Sequence, residues 1–365
     1  MIGLGDIYKV MEAVVPLYAA LLMGYGSVRW WRLFTPEQCE AINRFVSLFT
    51  LPFFTLEFTL RTDPFSMNYS VIAADAISKV IIVVILFAWA KFTTKGSYGW
   101  SITSFSLANL TSSLVIGVPM LKAMYGPFAQ EIVVQLSVVQ SLVWLTLLLF
   151  VLELRKSNNE ITSSSPVIVV DSSNGGGDGS ETDSDIEKVG VSKDLNVEKP
   201  SICTLMKKVM GKLVTNPNSY ACFIGITWAC IAKRGHFEIP EIIEGCVLIM
   251  SKAGAGMAMF SMGLFMGSQE KLVTCGASLV FYGLTLKFIA GPMAMAIGSF
   301  AVGLRGDLLR TAIIQAVVPQ SITSFIYAHE YGLHAEVLST AVIFGMLTCL
   351  PVLVAYYVVL ELIPN

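Results

Sequence analysis

The chain has 365 residues, of which 55% are hydrophobic and 14% are charged, and its formal net charge is −2. Because soluble proteins have about 25% charged residues, this composition indicates a membrane protein. The small negative charge provides no basic surface, so we expect no nucleic-acid partner.

Long apolar segments follow one another along the chain. A helix that spans a membrane needs roughly 20 mostly apolar residues. Such segments lie at residues 7–29, 39–60, 69–92, 99–124, 130–154, 217–235, 240–268, 272–300, 307–330 and 335–361. The sequence therefore predicts an all-α membrane protein with ten spanning helices, which we number spans 1 to 10 in chain order. Span 1 lacks the basic start and cleavage site of a signal peptide, so we expect it to be retained.

A polar segment separates span 5 from span 6. Residues 156–200 are rich in Ser, Gly and Asp and contain no aromatic ring. Such a composition cannot bury enough apolar surface to offset the entropy of ordering, so we predict a disordered linker. Residues 1–155 would then form one five-helix repeat and residues 201–365 a second. Residues 202–214 begin the second repeat as a basic amphipathic segment that we expect on the membrane surface.

Lysine and arginine side chains predict the orientation of these helices. They are more numerous in the loops on the side of the linker than in the loops on the other side. Because cytoplasmic loops carry an excess of these residues, we expect the linker in the cytosol. With ten crossings, both termini then lie on the far side of the membrane.

The two halves of the chain resemble each other. Residues 150–154 read FVLEL at the end of the first half, and residues 358–362 read VVLEL at the end of the second. The third span of each half carries one lysine, Lys79 and Lys287. A unit of five helices crosses the membrane an odd number of times, so two such units in tandem face opposite ways. This inverted repeat is typical of secondary transporters, whose sites lie near the membrane midplane at broken helices.

Polar and helix-breaking residues interrupt the middle of spans 4 and 9. Span 4 contains Thr111, Ser112, Ser113, Gly117 and Pro119, and span 9 contains Pro319, Gln320, Ser321, Thr323 and Ser324. Interrupted helices expose backbone N–H groups and positive dipole ends, which favour an anion. Alternatively, the hydroxyls bond to their own helix and permit close packing. The matched positions in both halves favour a binding site.

Span 3 carries Asp75 and Lys79, four residues apart and on one helix face. Each charge, if unpaired at the membrane centre, would cost about 2.5–3.5 kcal/mol, so we expect the two side chains to pair. The pair is either a structural lock or a fixed ammonium in the place where many transporters bind a coupling ion.

The sequence contains no arrangement that indicates an enzyme. No GxSxG motif is present, and His329 and His334 are five residues apart rather than four, so they do not share a helix face. The seven cysteines form no CxxC pair. We expect no catalytic residue, no metal and no cofactor.

Several longer motifs resemble one family. They read VVPLYAALLMGYGSV, FTPEQCEAINRFV, NPNSY, GMAMFSMGLFM, AVVPQSITSF and HAEVLSTAVIFGMLTCLPVLVAYY. Together they resemble the plant PIN-FORMED auxin transporters of the short, endoplasmic-reticulum type. The resemblance implies two inverted five-helix repeats, as in bile-acid and sodium–proton transporters, with a scaffold half and a mobile transport half. It also implies elevator-type transport of the indole-3-acetate anion from the cytosol into the endoplasmic-reticulum lumen, without a coupled ion.

The family's functional residues fall on positions of this sequence. The resemblance implies substrate-binding residues at Leu51, Thr55, Ser112, Leu114, Asn218, Ile322 and Thr323, and a support site at Asp75, Lys79 and Gln140. The sequence departs from the family pattern in span 4, where Thr111 and Ser112 replace a proline and an asparagine, and in span 9, where Ser324 replaces a proline. Because a hydroxyl offers one donor and an amide offers two, we expect weak binding of the carboxylate.

Other expectations concern partners and alternatives. We expect contact with membrane lipid and a homodimer, with the plasma membrane as the alternative location. The alternative functions are an ion-coupled symporter for another organic anion, and a membrane sensor or scaffold that does not transport.

Overall fold

The first half of the chain forms helices that correspond to spans 1 to 5. The computed structural model describes residues 4–94, 96–163, 202–235, 238–269 and 275–362. Spans 1 to 3 are Leu4–Arg29, Pro36–Phe45 continuing through a π-helical turn at Val46–Thr50 into Leu51–Arg61, and Tyr69–Phe92. Span 4 is Tyr98–Asn109 and then, after a break, Ser113–Gly117 (a π-helical turn) with Val118–Tyr125. Span 5 is Pro127–Val139, a π-helical turn at Gln140–Trp144, and Leu145–Ser163.

The second half of the chain repeats this plan. A short helix at Ile202–Thr215 comes before span 6, which is Pro217–Gly235. Span 7 is Glu241–Lys252 with Gly254–Ser268, and span 8 is Ala277–Thr285, a π-helical turn at Leu286–Ala290, and Gly291–Val302. Span 9 is Gly306–Val317 and, after a second break, Ile322–Glu330, and span 10 is Ala335–Glu361.

The predicted all-α class is confirmed, because the described chain is built from helices and its β pairing is a single isolated bridge. Helices long and apolar enough to cross a membrane are Tyr69–Phe92, Pro127–Ser157, Glu241–Ser268, Ala277–Val302 and Ala335–Glu361. The number of spans and their inverted repeat stay predictions. Of the predicted linker, residues 156–163 continue the helix of span 5, and residues 164–200 lie outside the described residues.

The local sequence explains where span 2 begins. Thr35 precedes Pro36, whose fixed φ angle suits the first helical position. The backbone N–H of Gln38 donates to Thr35 Oγ1 at 3.4 Å, and Thr35 N donates to Gln38 Oε1 at 2.9 Å. This reciprocal cap satisfies two donors that the helix itself leaves free. It fixes the start of the helix that carries Leu51 and Thr55.

The helices pack as two bodies. Spans 1, 2, 6 and 7 pack against one another and form a four-span body, in which span 1 lies along the second helix of span 7. Spans 3, 4, 5, 8, 9 and 10 form a six-span body, in which span 3 lies along Gly291–Val302 of span 8. The bodies meet where span 1 and Gly254–Ser268 contact the second part of span 4.

Charged side chains tie the ends of spans 2, 6 and 7 together at the surface of the four-span body. Arg61 lies 3.2 Å from Glu244, and Lys233 lies 3.6 Å from Asp63. The backbone N–H of Phe65 donates to Asp63 Oδ1 at 3.0 Å, and this bond lowers the pKa of the Asp63 carboxyl. Exposed pairs of this kind contribute little stability, so the packed apolar helices hold the body together.

Glycine allows a close helix contact in the six-span body. A Cβ atom on Gly298 of span 8 would collide with the backbone carbonyl of Ala74 in span 3. Asp75 is the next residue along span 3, so this contact sets the distance between the buried acid and span 8. Backbone approach through small residues is the usual way in which membrane helices pack closely.

Candidate functional site

The breaks in spans 4 and 9 lie against each other. Thr111 and Gln320 form an antiparallel pair, with Ser112 N donating to Pro319 O at 2.8 Å and Ser321 N donating to Leu110 O at 3.1 Å. These bonds satisfy backbone groups that the interrupted helices leave free, as is required away from water. The extended segments, residues 110–112 and 318–321, therefore form one crossing.

The break in span 4 falls on hydroxyl residues. Gly117 and Pro119 lie in the helix that follows it, so neither of them interrupts the span. Thr111 Oγ1 and Ser113 Oγ lie 2.6 Å apart, and Gln315 Nε2 donates to both hydroxyl oxygens, at 3.3 and 2.5 Å. Side-chain bonds among Thr, Ser and Gln thus stabilise an extended segment that lacks the family's proline.

Gln140 of span 5 supports the crossing from the side. Its Oε1 accepts from Thr111 N at 3.1 Å, and its Nε2 donates to Thr111 O at 2.8 Å. One amide side chain therefore satisfies both backbone groups of Thr111. Gln140 is 6% exposed and begins a π-helical turn, a feature that is frequent at functional sites.

Ser324 supports the crossing from span 9. Gln320 Nε2 donates to Ser106 O at 3.0 Å and to Ser324 Oγ at 2.6 Å, and Ser324 Oγ donates to Ser321 O at 2.7 Å. The serine that replaces the family proline thus holds Gln320 against the end of the first helix of span 4.

Asp75 and Lys79 form a buried ion pair next to the crossing. Lys79 Nζ lies 2.7 Å from Asp75 Oδ1 and 2.6 Å from Oδ2, and it stands 5.0 Å from the centre of the Trp144 ring. Both side chains line a small cavity of about 20 Å³ together with Gln140, Asn109 and Gln315. The structure thus brings the three predicted support residues, Asp75, Lys79 and Gln140, to one place.

A larger cavity of about 530 Å³, here the main cavity, lies on the other side of the crossing. Its volume is in the range of small-molecule sites. All seven predicted substrate-binding residues line it: Leu51, Thr55, Ser112, Leu114, Asn218, Ile322 and Thr323. Thr55 Oγ1 donates to Asn218 Oδ1 at 2.6 Å, so two of them also bond to each other. Gln140 lines both cavities.

The lining of the main cavity combines apolar surface with neutral polar groups. Phe54, Met262 and Phe265 provide apolar surface in addition to the predicted residues. Among the described residues, the lining includes one carboxylate, Glu330, and no Lys, Arg or His. An anion in this cavity therefore depends on hydrogen-bond donors and helix dipoles rather than on direct contact with a cationic side chain.

Two helices begin at the main cavity. The second part of span 4 begins at Ser113, and the second part of span 9 begins at Ile322. The first N–H groups of a helix have no partner within it, and the N-terminal end carries a partial positive charge. Ser112 and Ser321, which precede these helices, also line the cavity. Two positive helix ends thus meet at one cavity wall.

Sequence reasoning missed other residues at the main cavity. Ser261 Oγ donates to Asn43 Oδ1 at 2.6 Å, and Asn216 Nδ2 donates to Tyr327 Oη at 3.4 Å. All four residues line the cavity. Asn216 lies in the motif NPNSY and could have been found there, whereas Ser261 is a lone serine in the methionine-rich motif GMAMFSMGLFM, a composition typical of helix packing.

Comparisons with known proteins identify relatives over the whole chain. A model of the family described as membrane transport protein matches residues 9–357. The chain is 61% identical to auxin efflux carrier component 5 of Arabidopsis thaliana and 60% identical to probable auxin efflux carrier component 5a of Oryza sativa subsp. japonica, with 100% of each chain covered. It is 38% identical to auxin efflux carrier component 8 of Arabidopsis thaliana, over 99% of this chain and 100% of that protein.

Proposed function

Since this chain belongs to the membrane transport protein family, and within it to the auxin efflux carriers, we propose that it carries the indole-3-acetate anion across a membrane by alternating access. The family that the sequence motifs indicated is confirmed, and so is the expectation that the chain is not an enzyme. The observation that carries the proposal is the meeting of two helix N-termini at the main cavity.

The main cavity suits an aromatic acid. The indole ring has apolar surface to contact at Leu51, Leu114 and Ile322, the predicted residues on three different spans. The carboxylate has hydrogen-bond donors at the start of Ser113–Gly117, with the Ser112 hydroxyl beside them. Helix N-termini are ready-made anion sites, so this end of the cavity is the place for the carboxylate.

The position of the main cavity supports an elevator mechanism. The four-span body contributes Leu51, Thr55 and Asn218 to the lining, and the six-span body contributes Ser112 and Thr323. Substrate therefore lies between the bodies. Movement of the six-span body, which holds the crossing, against the four-span body would carry the substrate across the membrane.

The Asp75–Lys79 pair supports transport without a coupling ion. The ammonium of Lys79 lies within hydrogen-bond distance of both carboxylate oxygens of Asp75 and occupies the position beside this carboxylate where a coupling cation would bind. A charge held there permanently leaves no need for sodium. The transported anion then carries net charge, and membrane voltage drives it by about 2.3 kcal/mol per 100 mV for a full unit crossing.

Location and assembly complete the proposal. The short linker and the basic loops support an endoplasmic-reticulum membrane with the linker in the cytosol and both termini in the lumen. Transport would then run from the cytosol into the lumen, with the plasma membrane as the alternative location. Exposed apolar residues of span 3, among them Val80, Val84 and Phe87, suit contact with membrane lipid. The homodimer stays a prediction.

Uptake of labelled indole-3-acetate into proteoliposomes under an imposed potassium diffusion potential tests the function. We expect uptake that increases as the interior is made more positive and that needs neither sodium nor a pH gradient. Liposomes without protein are the control. Binding without net flux would establish a sensor instead, and flux that collapses without sodium or a proton gradient would establish an ion-coupled symporter.

A further inference from the structure

Lys287 is buried at the centre of the six-span body without an acidic partner. It is 2% exposed, and within the described part of the chain no ion pair joins it to a carboxylate. Its Nζ donates to the backbone carbonyl of Leu110 at 3.5 Å. Burying a lysine with so little compensation is costly, so its presence at this position calls for a function.

Lys287 lacks the carboxylate partner that Lys79 has, although both lysines lie in the third span of a half. Lys79 is neutralised by Asp75, and the pair has no net charge. The other buried carboxylate among the described residues, Glu153, accepts from Tyr331 Oη at 2.6 Å. Glu153 lies about 20 Å from Gln140 along the helix of span 5, at 1.5 Å per residue, and is therefore far from the crossing. Among the buried side chains described, protonated Lys287 therefore provides the unbalanced charge near the crossing.

The contact with Leu110 places this charge directly behind the wall of the main cavity. Leu110 is the C-cap of Tyr98–Asn109, and its carbonyl lies at the negative end of that helix. Thr111 and Ser112, the next two residues, line the main cavity. The ammonium thus offsets the negative helix end that would otherwise face an arriving anion.

The π-helical turns give an independent indication. The turns Val46–Thr50, Ser113–Gly117 and Gln140–Trp144 each contribute residues to the main cavity. The fourth, Leu286–Ala290, contains Lys287. Because π-helical turns occur frequently at functional sites, this turn indicates a role for Lys287.

We propose that Lys287 is a positioning residue for the anion: its unpaired ammonium holds the Leu110 carbonyl and provides the positive potential that favours a carboxylate at the crossing. The proposal rests on the proposed function, in that the substrate is an anion. Burial protects this charge from screening by salt, so it acts through the thin crossing without touching the substrate.

Equilibrium binding of labelled indole-3-acetate to the purified full chain tests the proposal. Lys287→Gln should weaken binding by about tenfold or more, because it removes a buried charge close to the carboxylate. Lys287→Arg keeps the charge and should retain most of the affinity. Lys252→Gln, which removes the same charge from an exposed position, is the matched control and should bind like wild type.

A second variant addresses the same charge with Lys287 left in place. The Cys349 thiol is buried and close enough to Lys287 to interact with it electrostatically. Cys349→Asp should neutralise Lys287 and weaken binding of the acid, whereas Cys349→Ser should not. These two Cys349 variants test the role of the Lys287 charge if Lys287→Gln does not fold.

The outcomes separate the two proposals. Equal losses in Lys287→Gln and Lys287→Arg would leave only a packing role and overturn the proposal, as would unchanged binding in Lys287→Gln or Cys349→Asp. Wild-type protein that neither binds nor carries indole-3-acetate would instead overturn the proposed function.

Discussion

Ser112 stands immediately before a helix N-terminus and lines the main cavity. Its hydroxyl offers one donor to a carboxylate, whereas the asparagine of the family pattern offers two. Affinity at this position is therefore limited by the number of donors.

We predict that Ser112→Asn tightens binding of indole-3-acetate. One added neutral hydrogen bond contributes about 0.5–1.5 kcal/mol, so the gain should be several-fold. Equilibrium binding measures it, and Ser112→Ala, which removes the donor, should bind more weakly than wild type. Unchanged or weaker binding by the asparagine variant would show that residue 112 does not meet the carboxylate.

The Asp75–Lys79 pair leads to a second prediction at the scale of single residues. Either Asp75→Asn or Lys79→Ala leaves a buried charge without its partner, which typically costs about 3–5 kcal/mol. The double variant removes both charges, so it should be more stable than either single variant. Thermal unfolding of the purified proteins in one detergent compares them. A double variant as unstable as the sum of the two single changes would contradict the pairing.

At the scale of the helices, close contact between spans 3 and 8 depends on Gly298. We predict that Gly298→Ala destabilises the protein by about 1–3 kcal/mol, because its Cβ collides with the Ala74 carbonyl. Gly245→Ala is the matched control: this glycine also lies within a helix, but nothing stands within 4 Å of its added Cβ. The control should be neutral or slightly stabilising, since alanine favours helix. Equal unfolding temperatures for the two variants would refute the close contact.

The helices also show which features could be predicted from the sequence. Apolar segments and polar interruptions gave the helices and located the break in span 4, because Thr111 and Ser112 lie in an otherwise apolar run. The bond of Asn43 to Ser261 could not be predicted, since it joins residues far apart in the chain. The hydrogen-bond partner of Lys287 could not be predicted either, because it is a backbone carbonyl, which every residue has.

At the scale of the whole molecule, the proposed elevator mechanism requires the six-span body to move against the four-span body. We predict that a crosslink between Asn216→Cys and Tyr327→Cys, one on each body, stops uptake in a background without native cysteines. The Asn216 Nδ2 and Tyr327 Oη atoms lie 3.4 Å apart, so the shorter cysteine side chains are joined by a bifunctional thiol reagent rather than by a direct disulfide. The control joins Arg61→Cys to Glu244→Cys within the four-span body and should leave uptake intact. Unimpaired uptake by the Asn216–Tyr327 crosslinked protein would exclude this movement.

The orientation of the molecule gives a further prediction. Protease added to the outside of sealed microsomes should cut within residues 156–200 and spare both termini. Tags at the two ends, read on blots, distinguish the fragments, and detergent provides the control in which every site is open. Protection of this segment in sealed vesicles would reverse the proposed orientation.

The backbone bonds of the crossing also affect how the chain is made. Leu110 and Ser112 obtain their partners, Ser321 and Pro319, only after roughly two hundred further residues have been synthesised, which takes about 10–40 s at 5–20 residues per second. Until then, the first half holds an interrupted helix whose free backbone groups have no partner in lipid. A nascent chain is thus vulnerable to quality control for most of its synthesis. A truncation before Pro319 would leave that defect permanent, so such a product should be degraded rather than accumulate as half a carrier.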